Sequence, residues 1–196
     1  MGAVTLGSTR LVASGRLAGQ RVGVVANPAS VDRQFVHVVD RLRAADAVTL
    51  AAIFGPQHGF RSDLQDNMIE TDHAVDSHTG LWIYSLYSET REPTEKMLAD
   101  VDTIVFDLQD VGCRIYTFVY TMANCMRAAK KLGKRVIVCD RPNPINGVAV
   151  EGNVTETEFT SFVGQFEIPT RHGMTCGELA LMFNEHFGIG CDLEVV

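Results

Sequence analysis

The sequence predicts an α/β fold built on a doubly wound, mainly parallel sheet with helices on both faces. Three observations support this prediction. Short runs rich in Val, Ile, Leu and Ala alternate along the chain with segments of helical periodicity. Strands and helices that alternate in this way form right-handed βαβ units. The 196 residues suit one domain, and 46% of them are hydrophobic, which is enough for a sizeable core.

The predicted strands are short apolar runs that stop at polar or turn-forming residues. Buried parallel strands have this near-continuous apolar character because both of their faces are covered. We place strands at 21–26, 48–54, 81–86, 102–107, 135–140 and 191–196. Together they predict one Rossmann-like domain over residues 1–196.

The helices are predicted from periodicity, capping and stop signals. Apolar residues recur close to every 3.6 positions between Val31 and Ala45. Gly133 is a typical left-handed stop for the helix before it, and Thr175 with Glu178 forms a capping box. These signals place helices at 8–14, 31–45, 94–99, 116–132 and 178–187.

Composition narrows the classes of partner and location. The net charge is −7, and no basic run is longer than Lys130–Lys131, which argues against nucleic acid and against an anionic membrane surface. No apolar run approaches the roughly 20 residues of a membrane span, and the first 19 residues lack the apolar core of a secretory signal. Five widely spaced cysteines without a CxxC motif indicate reduced thiols, so we expect a cytoplasmic protein.

Polar side chains follow the predicted strands at the point where each strand ends. Parallel strands place their carboxyl ends at one edge of the sheet, and ligands of open α/β sheets bind there. The sequence therefore predicts one polar pocket, flanked by the long irregular stretches 55–79 and 141–169. Its strand-end candidates are Asn27, Gln57, His58, Glu89, Asp107, Gln109, Asp110, Arg114, Tyr116, Asp140, Arg141 and Asn143.

Motifs exclude several common chemistries for this pocket. The first strand is not followed by GxGxxG, and the chain has neither a GxxxxGK[ST] phosphate loop nor a GxSxG elbow. Carboxylates and histidines remain. Paired carboxyl groups support hydrolysis of a glycoside, whereas Asp and His clusters also support a divalent metal.

Each candidate also has a structural interpretation. Asp107 at a strand end could cap a helix or anchor a loop, and Asp110 could form an ion pair with Arg114. His58 in its tight turn could only satisfy backbone groups. The repetition of polar clusters at five strand ends favours function over these separate explanations.

Seven motifs occur in one order and carry a resemblance to a known family. They are FGPQHGFR (54–61), YSLYSETREPT (84–94), FDLQDVGCRIYT (106–117), DRPNP (140–144), EG (151–152), SFVG (161–164) and IPTRHGMTCGEL (168–179). Over about residues 20–196 the chain resembles the NamZ-type exo-β-N-acetylmuramidase family, formerly a domain of unknown function.

The resemblance implies an exo-acting glycosidase that needs no cofactor or metal. Such an enzyme releases N-acetylmuramic acid from the non-reducing end of peptidoglycan fragments, so a small saccharide or muropeptide is the expected substrate. Family members have a Rossmann-like N-terminal domain and a smaller C-terminal domain. We therefore expect this chain to lack the C-terminal domain, to be a poor enzyme by itself, and to expose apolar surface that favours association into a homo-oligomer.

One departure from the family pattern concerns the chemistry. The family commonly has a glutamate, proposed as the catalytic acid, where this chain has Gln57, and an amide cannot donate a proton as a carboxylic acid does. Glu70, Asp63 or Asp66 could replace it, and the acidic loop over 61–72 favours such a replacement. The candidate catalytic residues are thus Glu70, Asp63, Asp107 and Asp110.

The remaining candidates bind substrate, and three functions stay open. The substrate-binding candidates are Asn27, Gln57, His58, Arg61, Glu89, Gln109, Arg114, Tyr116, Asp140, Arg141, Asn143, Glu151 and His172. The first function is glycoside hydrolysis on amino sugars, and the second is sugar binding without turnover. The third is a metal-dependent hydrolase using Asp107, Asp110, Asp140 and one of the histidines His58 and His172.

Overall fold

The computed structural model describes residues 4–64 and 69–196. Its elements in chain order are α1 (Gly7–Ala13), β1 (Arg21–Val25), α2 (Val38–Arg43), β2 (Thr49–Gly55), β3 (Ala74–Val75), β4 (Trp82–Ser85), β5 (Thr103–Phe106), α3 (Phe118–Leu132), β6 (Arg135–Val138), β7 (Glu151–Val154), a 3₁₀ turn (Thr157–Phe159), β8 (Pro169–Arg171), α4 (Cys176–Glu185) and β9 (Asp192–Val195).

Seven strands form the central sheet in the order β3-β4-β2-β1-β5-β6-β9. All neighbouring pairs are parallel except β3, which pairs antiparallel with β4 at the edge. The six parallel strands follow the doubly wound order, in which the chain reverses its direction of progress between β1 and β5. The predicted α/β fold with a mainly parallel sheet is therefore confirmed. Strands β7 and β8 form a separate antiparallel hairpin.

The core has two layers, one on each face of the sheet. One apolar cluster packs α3 and α4 against side chains such as Phe54 and Phe106. The other packs α1 and α2 against side chains such as Val24 and Val105. Successive residues of β5 point into opposite layers, which explains why its sequence is apolar without interruption. The helices thus lie on both faces, as predicted.

The capping signals were correct, but the first long helix is much shorter than predicted. Gly133 adopts the left-handed conformation at the end of α3, and Thr175 and Glu178 form the capping box of α4. In contrast, α2 covers only Val38–Arg43 of the predicted 31–45. Asp32 Oδ1 accepts hydrogen bonds from the N–H groups of Gln34 and Val36, which closes a turn instead of a helix.

Other differences concern short elements. The predicted helix at 94–99 is a set of turns that buries Met97 and Leu98. Strands β3, β7 and β8 were not predicted, because they have only two to four residues and lack an apolar alternation. None of the helices in the part of the chain described here is long and apolar enough to cross a membrane.

A salt bridge between Arg21 and Asp102 joins the amino-terminal ends of β1 and β5, and it changes a pKa that can be measured. Hydrogen bonds from the Arg21 side chain and from its backbone N–H lower the pKa of Asp102 from 3.8 to about 2. Because the folded pKa lies below the unfolded one, the stabilisation is complete above about pH 4 and is lost as the pH falls toward 2. We expect Arg21→Gln to raise this pKa in an NMR titration of the carboxyl carbon. An unchanged value would contradict the assignment.

Candidate functional site

The edge of the sheet at the carboxyl ends of β1 and β5 is closed by a buried ion pair. Both oxygens of Asp107 accept hydrogen bonds from Arg141, from Nε at 2.8 Å and from Nη2 at 2.9 Å. Both side chains are buried, and Arg141 Nη2 also donates to the carbonyl of Val31 at 3.3 Å. Because both Asp107 oxygens are engaged by Arg141 and the side chain is buried, the contacts give no support to its predicted catalytic role.

Asn27 belongs to the same closed region. Its Oδ1 accepts from the Ala29 N–H at 3.0 Å, and its own N–H donates to Ser30 Oγ at 3.0 Å. The Ser30 hydroxyl in turn donates to the carbonyl of Asp107. Asn27 therefore shapes the turn after β1, and its side-chain oxygen is engaged with the backbone.

The side chains of Asp140 and Asn143 are also engaged in hydrogen bonds within the chain. Asp140 Oδ1 accepts from the N–H of Gly177 at 2.8 Å, and Oδ2 accepts from the Thr175 hydroxyl at 2.8 Å. Asn143 donates from Nδ2 to the carbonyl of Met174 at 2.9 Å. These contacts fix the start of α4 against the end of β6.

Asp110 is the strand-end aspartate that keeps an unengaged oxygen. Its Oδ2 accepts from the Gly112 N–H at 2.7 Å, and Oδ1 is buried with no hydrogen-bond partner among the described residues. The His172 Nε2 atom lies 3.2 Å from Oδ2 without the alignment of a hydrogen bond. His172 Nδ1 accepts from the Met174 N–H, so the neutral ring carries its proton on Nε2, facing Asp110. The predicted pair of Asp110 with Arg114 is replaced by this contact with His172.

Tyr120 was missed by sequence analysis because it lies on the apolar face of α3. Its hydroxyl is buried without a hydrogen-bond partner among the described residues. Burial raises the pKa of Tyr120; the nearby Arg114 opposes the rise, and the Asp110 charge adds to it. Asp110, Tyr120 and Arg114 therefore occupy one neighbourhood.

Gln57 and Tyr116 lie at the surface of this neighbourhood. Thr117, which sequence analysis also missed, donates from its hydroxyl to Gln57 Oε1 at 2.7 Å, joining the end of β2 to the start of α3. Tyr116 is 37% exposed, and its ring packs edge-on against that of Phe118 with the two ring centroids 4.7 Å apart. Burial and the Asp110 charge raise the pKa of Tyr116, so the Asp110 carboxylate lies close enough to disfavour ionisation of this hydroxyl.

His58 follows Gln57 in a strained turn. Its φ is 70°, in the left-handed region that is uncommon for residues other than glycine. The Nδ1 atom lies 2.8 Å from the carbonyl of Leu64. A carbonyl only accepts, so Nδ1 carries the proton and Nε2 is the acceptor of the neutral ring.

Two of the predicted replacement carboxylates, Asp63 and Glu70, lie outside these contacts. Asp63 is exposed and lines a cavity of about 170 Å³ with Arg61 and Thr71. Glu70 is exposed and paired with Arg91 at 3.3 Å. No hydrogen bond among residues 4–64 and 69–196 joins either acid to Gln57 or His58. Asp66 lies outside the described residues.

Four predicted binding residues remain. Arg61 pairs with the buried Asp76. Gln109 donates to the carbonyl of Pro142 at 3.1 Å, and Glu89 is exposed. Glu151 on β7 pairs with Arg171 at 2.9 Å.

A metal site has no support from the described part of the chain. Within residues 4–64 and 69–196, no three His, Cys, Asp or Glu side chains are grouped as metal ligands would be. The site instead combines one carboxylate, one histidine, an amide and an exposed aromatic ring. These groups can bind a sugar by stacking and hydrogen bonds, and Asp110 can accept a proton.

Comparisons with known proteins agree with this reading of the motifs. A family model described as "Exo-beta-N-acetylmuramidase NamZ, N-terminal" matches residues 22–196. The chain is 48% identical over 181 residues to the peptidoglycan β-N-acetylmuramidase NamZ of Bacillus subtilis (strain 168), which covers 92% of the chain and 44% of that relative.

Two crystal structures of DUF1343 family proteins from Bacteroides fragilis NCTC 9343 share the fold. The first has a TM-score of 0.89 and 46% identity, covering 97% of this chain and 48% of the other. The second has a TM-score of 0.84 and 33% identity, covering 100% of this chain and 52% of the other. The chain thus spans about half the length of these relatives. On these matches it belongs to the NamZ exo-β-N-acetylmuramidase family, also called DUF1343, and corresponds to the N-terminal domain of that family.

Proposed function

We propose that this protein hydrolyses the glycosidic bond of N-acetylmuramic acid at the non-reducing end of peptidoglycan fragments. The observation that carries the proposal is the family match over residues 22–196, which includes every polar strand end of the candidate site. The relative at 48% identity is named as a peptidoglycan β-N-acetylmuramidase. The Asp110 carboxylate, whose Oδ1 has no hydrogen-bond partner among the described residues, supports the same chemistry.

Two protein groups are needed for this reaction. A carboxylic acid protonates the leaving oxygen, and a carboxylate activates water or attacks the sugar. We assign the carboxylate role to Asp110, with His172 as its positioning residue. We assign the acid role to position 57, where the Gln57 side chain accepts a hydrogen bond from the Thr117 hydroxyl at the start of α3. Gln57 cannot supply that proton, so the wild-type chain should turn over slowly.

A sugar-binding relative without turnover is the second candidate, and Gln57 is the observation that favours it. An amide at this position keeps the hydrogen bond from Thr117 while removing the acid. Binding would then rest on Tyr116 and on the polar side chains of the candidate site. Whether the protein turns over a substrate therefore separates the two functions.

The test is hydrolysis of a chromogenic β-N-acetylmuramic acid glycoside by the natural full-length protein. We expect slow release of the chromophore, above the rate without protein. Residues 1–196 alone should be less active, because we propose that a further domain, as in the longer relatives, completes the pocket wall. Saturable binding of the glycoside without release of chromophore would establish the sugar-binding alternative instead.

A further inference from the structure

Arg114 is a half-buried arginine that the backbone of the β7–β8 hairpin holds in place. Its Nη1 donates to the carbonyls of Asn153 at 2.7 Å and Ile168 at 2.8 Å, and its own N–H donates to the Thr170 carbonyl at 2.8 Å. A guanidinium held at one corner by two carbonyls has a fixed orientation. Less rotational freedom is then lost when it binds a ligand.

The other edge of this guanidinium, formed by Nε and Nη2, has no partner among the described residues. Nε and Nη2 of Arg114 form no hydrogen bond with any residue in the described ranges, and no carboxylate there lies within 4 Å of them. Neither nitrogen is among the buried atoms that lack a partner, so both reach accessible surface. Nε and Nη2 are the edge of the fork that binds a carboxylate through two parallel hydrogen bonds.

The position of Arg114 ties this free edge to the candidate site. The charges of Arg114 and Asp110 have opposite effects on the pKa of Tyr120, so both side chains lie near it. The exposed Tyr116 follows Arg114 by two positions in the chain. An anionic group bound by Arg114 would therefore lie beside a sugar that stacks on Tyr116.

We propose that Arg114 binds the lactyl carboxylate of N-acetylmuramic acid and so sets the specificity of the site. This inference rests on the proposed function, because the lactyl ether is what distinguishes this sugar from N-acetylglucosamine. Its carboxylate is planar and carries one negative charge, which matches the free edge of the guanidinium. Asp110 repels the same carboxylate, so an arginine partner is needed to bring the two together.

The experiment varies the charge of the ligand and the charge of residue 114 independently. A chromogenic β-N-acetylmuramic acid glycoside and its lactyl methyl ester are compared as substrates of the natural full-length protein. We expect wild type to prefer the free acid by about 10- to 100-fold in kcat/KM, the range for a hydrogen bond to a charged group. Arg114→Gln should reduce this preference to less than about threefold, with Arg114→Lys between the two.

Arg127→Gln is the matched control. Arg127 is also half-buried, and its Nη1 also bonds two neutral oxygens, those of Asn124 at 2.8 Å and Gln165 at 2.5 Å. It lies about two and a half turns into α3, whose first residue follows the candidate site, so its variant should keep the full preference. A full preference in Arg114→Gln, or an equal loss in both arginine variants, would overturn the proposal.

The readout also separates this inference from the proposed function. If wild type hydrolyses neither compound, the muramidase proposal fails, and calorimetric binding of N-acetylmuramic acid and its methyl ester decides the role of Arg114. Tighter binding of the acid that Arg114→Gln abolishes would support the inference. Equal binding of acid and ester by wild type would refute it. If Arg114→Gln does not fold, Arg114→Lys, which keeps a donor for the hairpin carbonyls, carries the comparison.

Discussion

Replacement of Asp110 by asparagine is expected to lower turnover of the chromogenic glycoside by about 10²–10⁴-fold, the usual contribution of general acid–base catalysis. Asp107 and Asp140 have both carboxylate oxygens engaged, whereas Asp110 Oδ1 has no partner among the described residues. Asparagine has nearly the same shape and can still accept from the Gly112 N–H, so the substitution removes chiefly the charge. The measurement is kcat, with a thermal melt to confirm that the variant is folded.

Asp102→Asn is the matched control for this substitution. Asp102 precedes β5 at the opposite, amino-terminal edge of the sheet, where it bonds Arg21. It should change stability at most, with kcat close to wild type. If Asp110→Asn retained more than about a tenth of wild-type turnover while remaining folded, Asp110 would be a structural residue and its assigned role would be wrong.

Gln57→Glu is expected to raise turnover by at least about tenfold, because it supplies the acid that the amide lacks. Glutamate has the shape of glutamine and can accept the same hydrogen bond from the Thr117 hydroxyl. A like charge raises a carboxyl pKa, so the Asp110 carboxylate would favour the protonated form of a new carboxyl group placed close to it. The proton would then be available to the leaving oxygen. The measurement is kcat with the same glycoside, and Gln57→Ala, which adds no acid, should show no gain.

The competing account keeps a replacement carboxylate in the loop after Gln57. Under that account wild type is already fully active, and Gln57→Glu has little effect or lowers turnover. Asp63→Asn or Glu70→Gln should then abolish activity. Loss of activity in either variant would contradict our assignment of the acid to position 57.

The sheet could be predicted because its strands are locally unambiguous. Runs such as the one that forms β5 are apolar on both faces, and only a covered parallel strand explains that composition. The helix predicted at 31–45 is too long because a local hydrogen bond overrides the periodicity. Phe35 fits the apolar period but is exposed with a φ of 59°, because the Asp32 side chain holds the turn around it. Local hydrogen bonds of this kind are not visible in periodicity.

From the sequence, the position of the site could be predicted only as one edge of the sheet. Parallel topology places Gln57 and Asp110 at the same edge without any knowledge of contacts. Which polar groups bond one another depends on packing between distant segments. Asp107 meets Arg141 across 34 positions, and Thr117 meets Gln57 across 60. Sequence analysis therefore could not separate the buried ion pair at Asp107 from Asp110, where Oδ1 has no partner among the described residues.

The location of the sugar is the central claim, and a crystal structure of the natural full-length protein with bound N-acetylmuramic acid tests it most directly. We predict that the sugar ring lies against Tyr116 at the carboxyl edge of the sheet, with Gln57 within hydrogen-bond distance. The chain offers another place for a ligand, a cavity of about 260 Å³ between α1 and the segment 30–41. A sugar bound in that cavity, with the edge at Tyr116 and Gln57 unoccupied, would contradict the account.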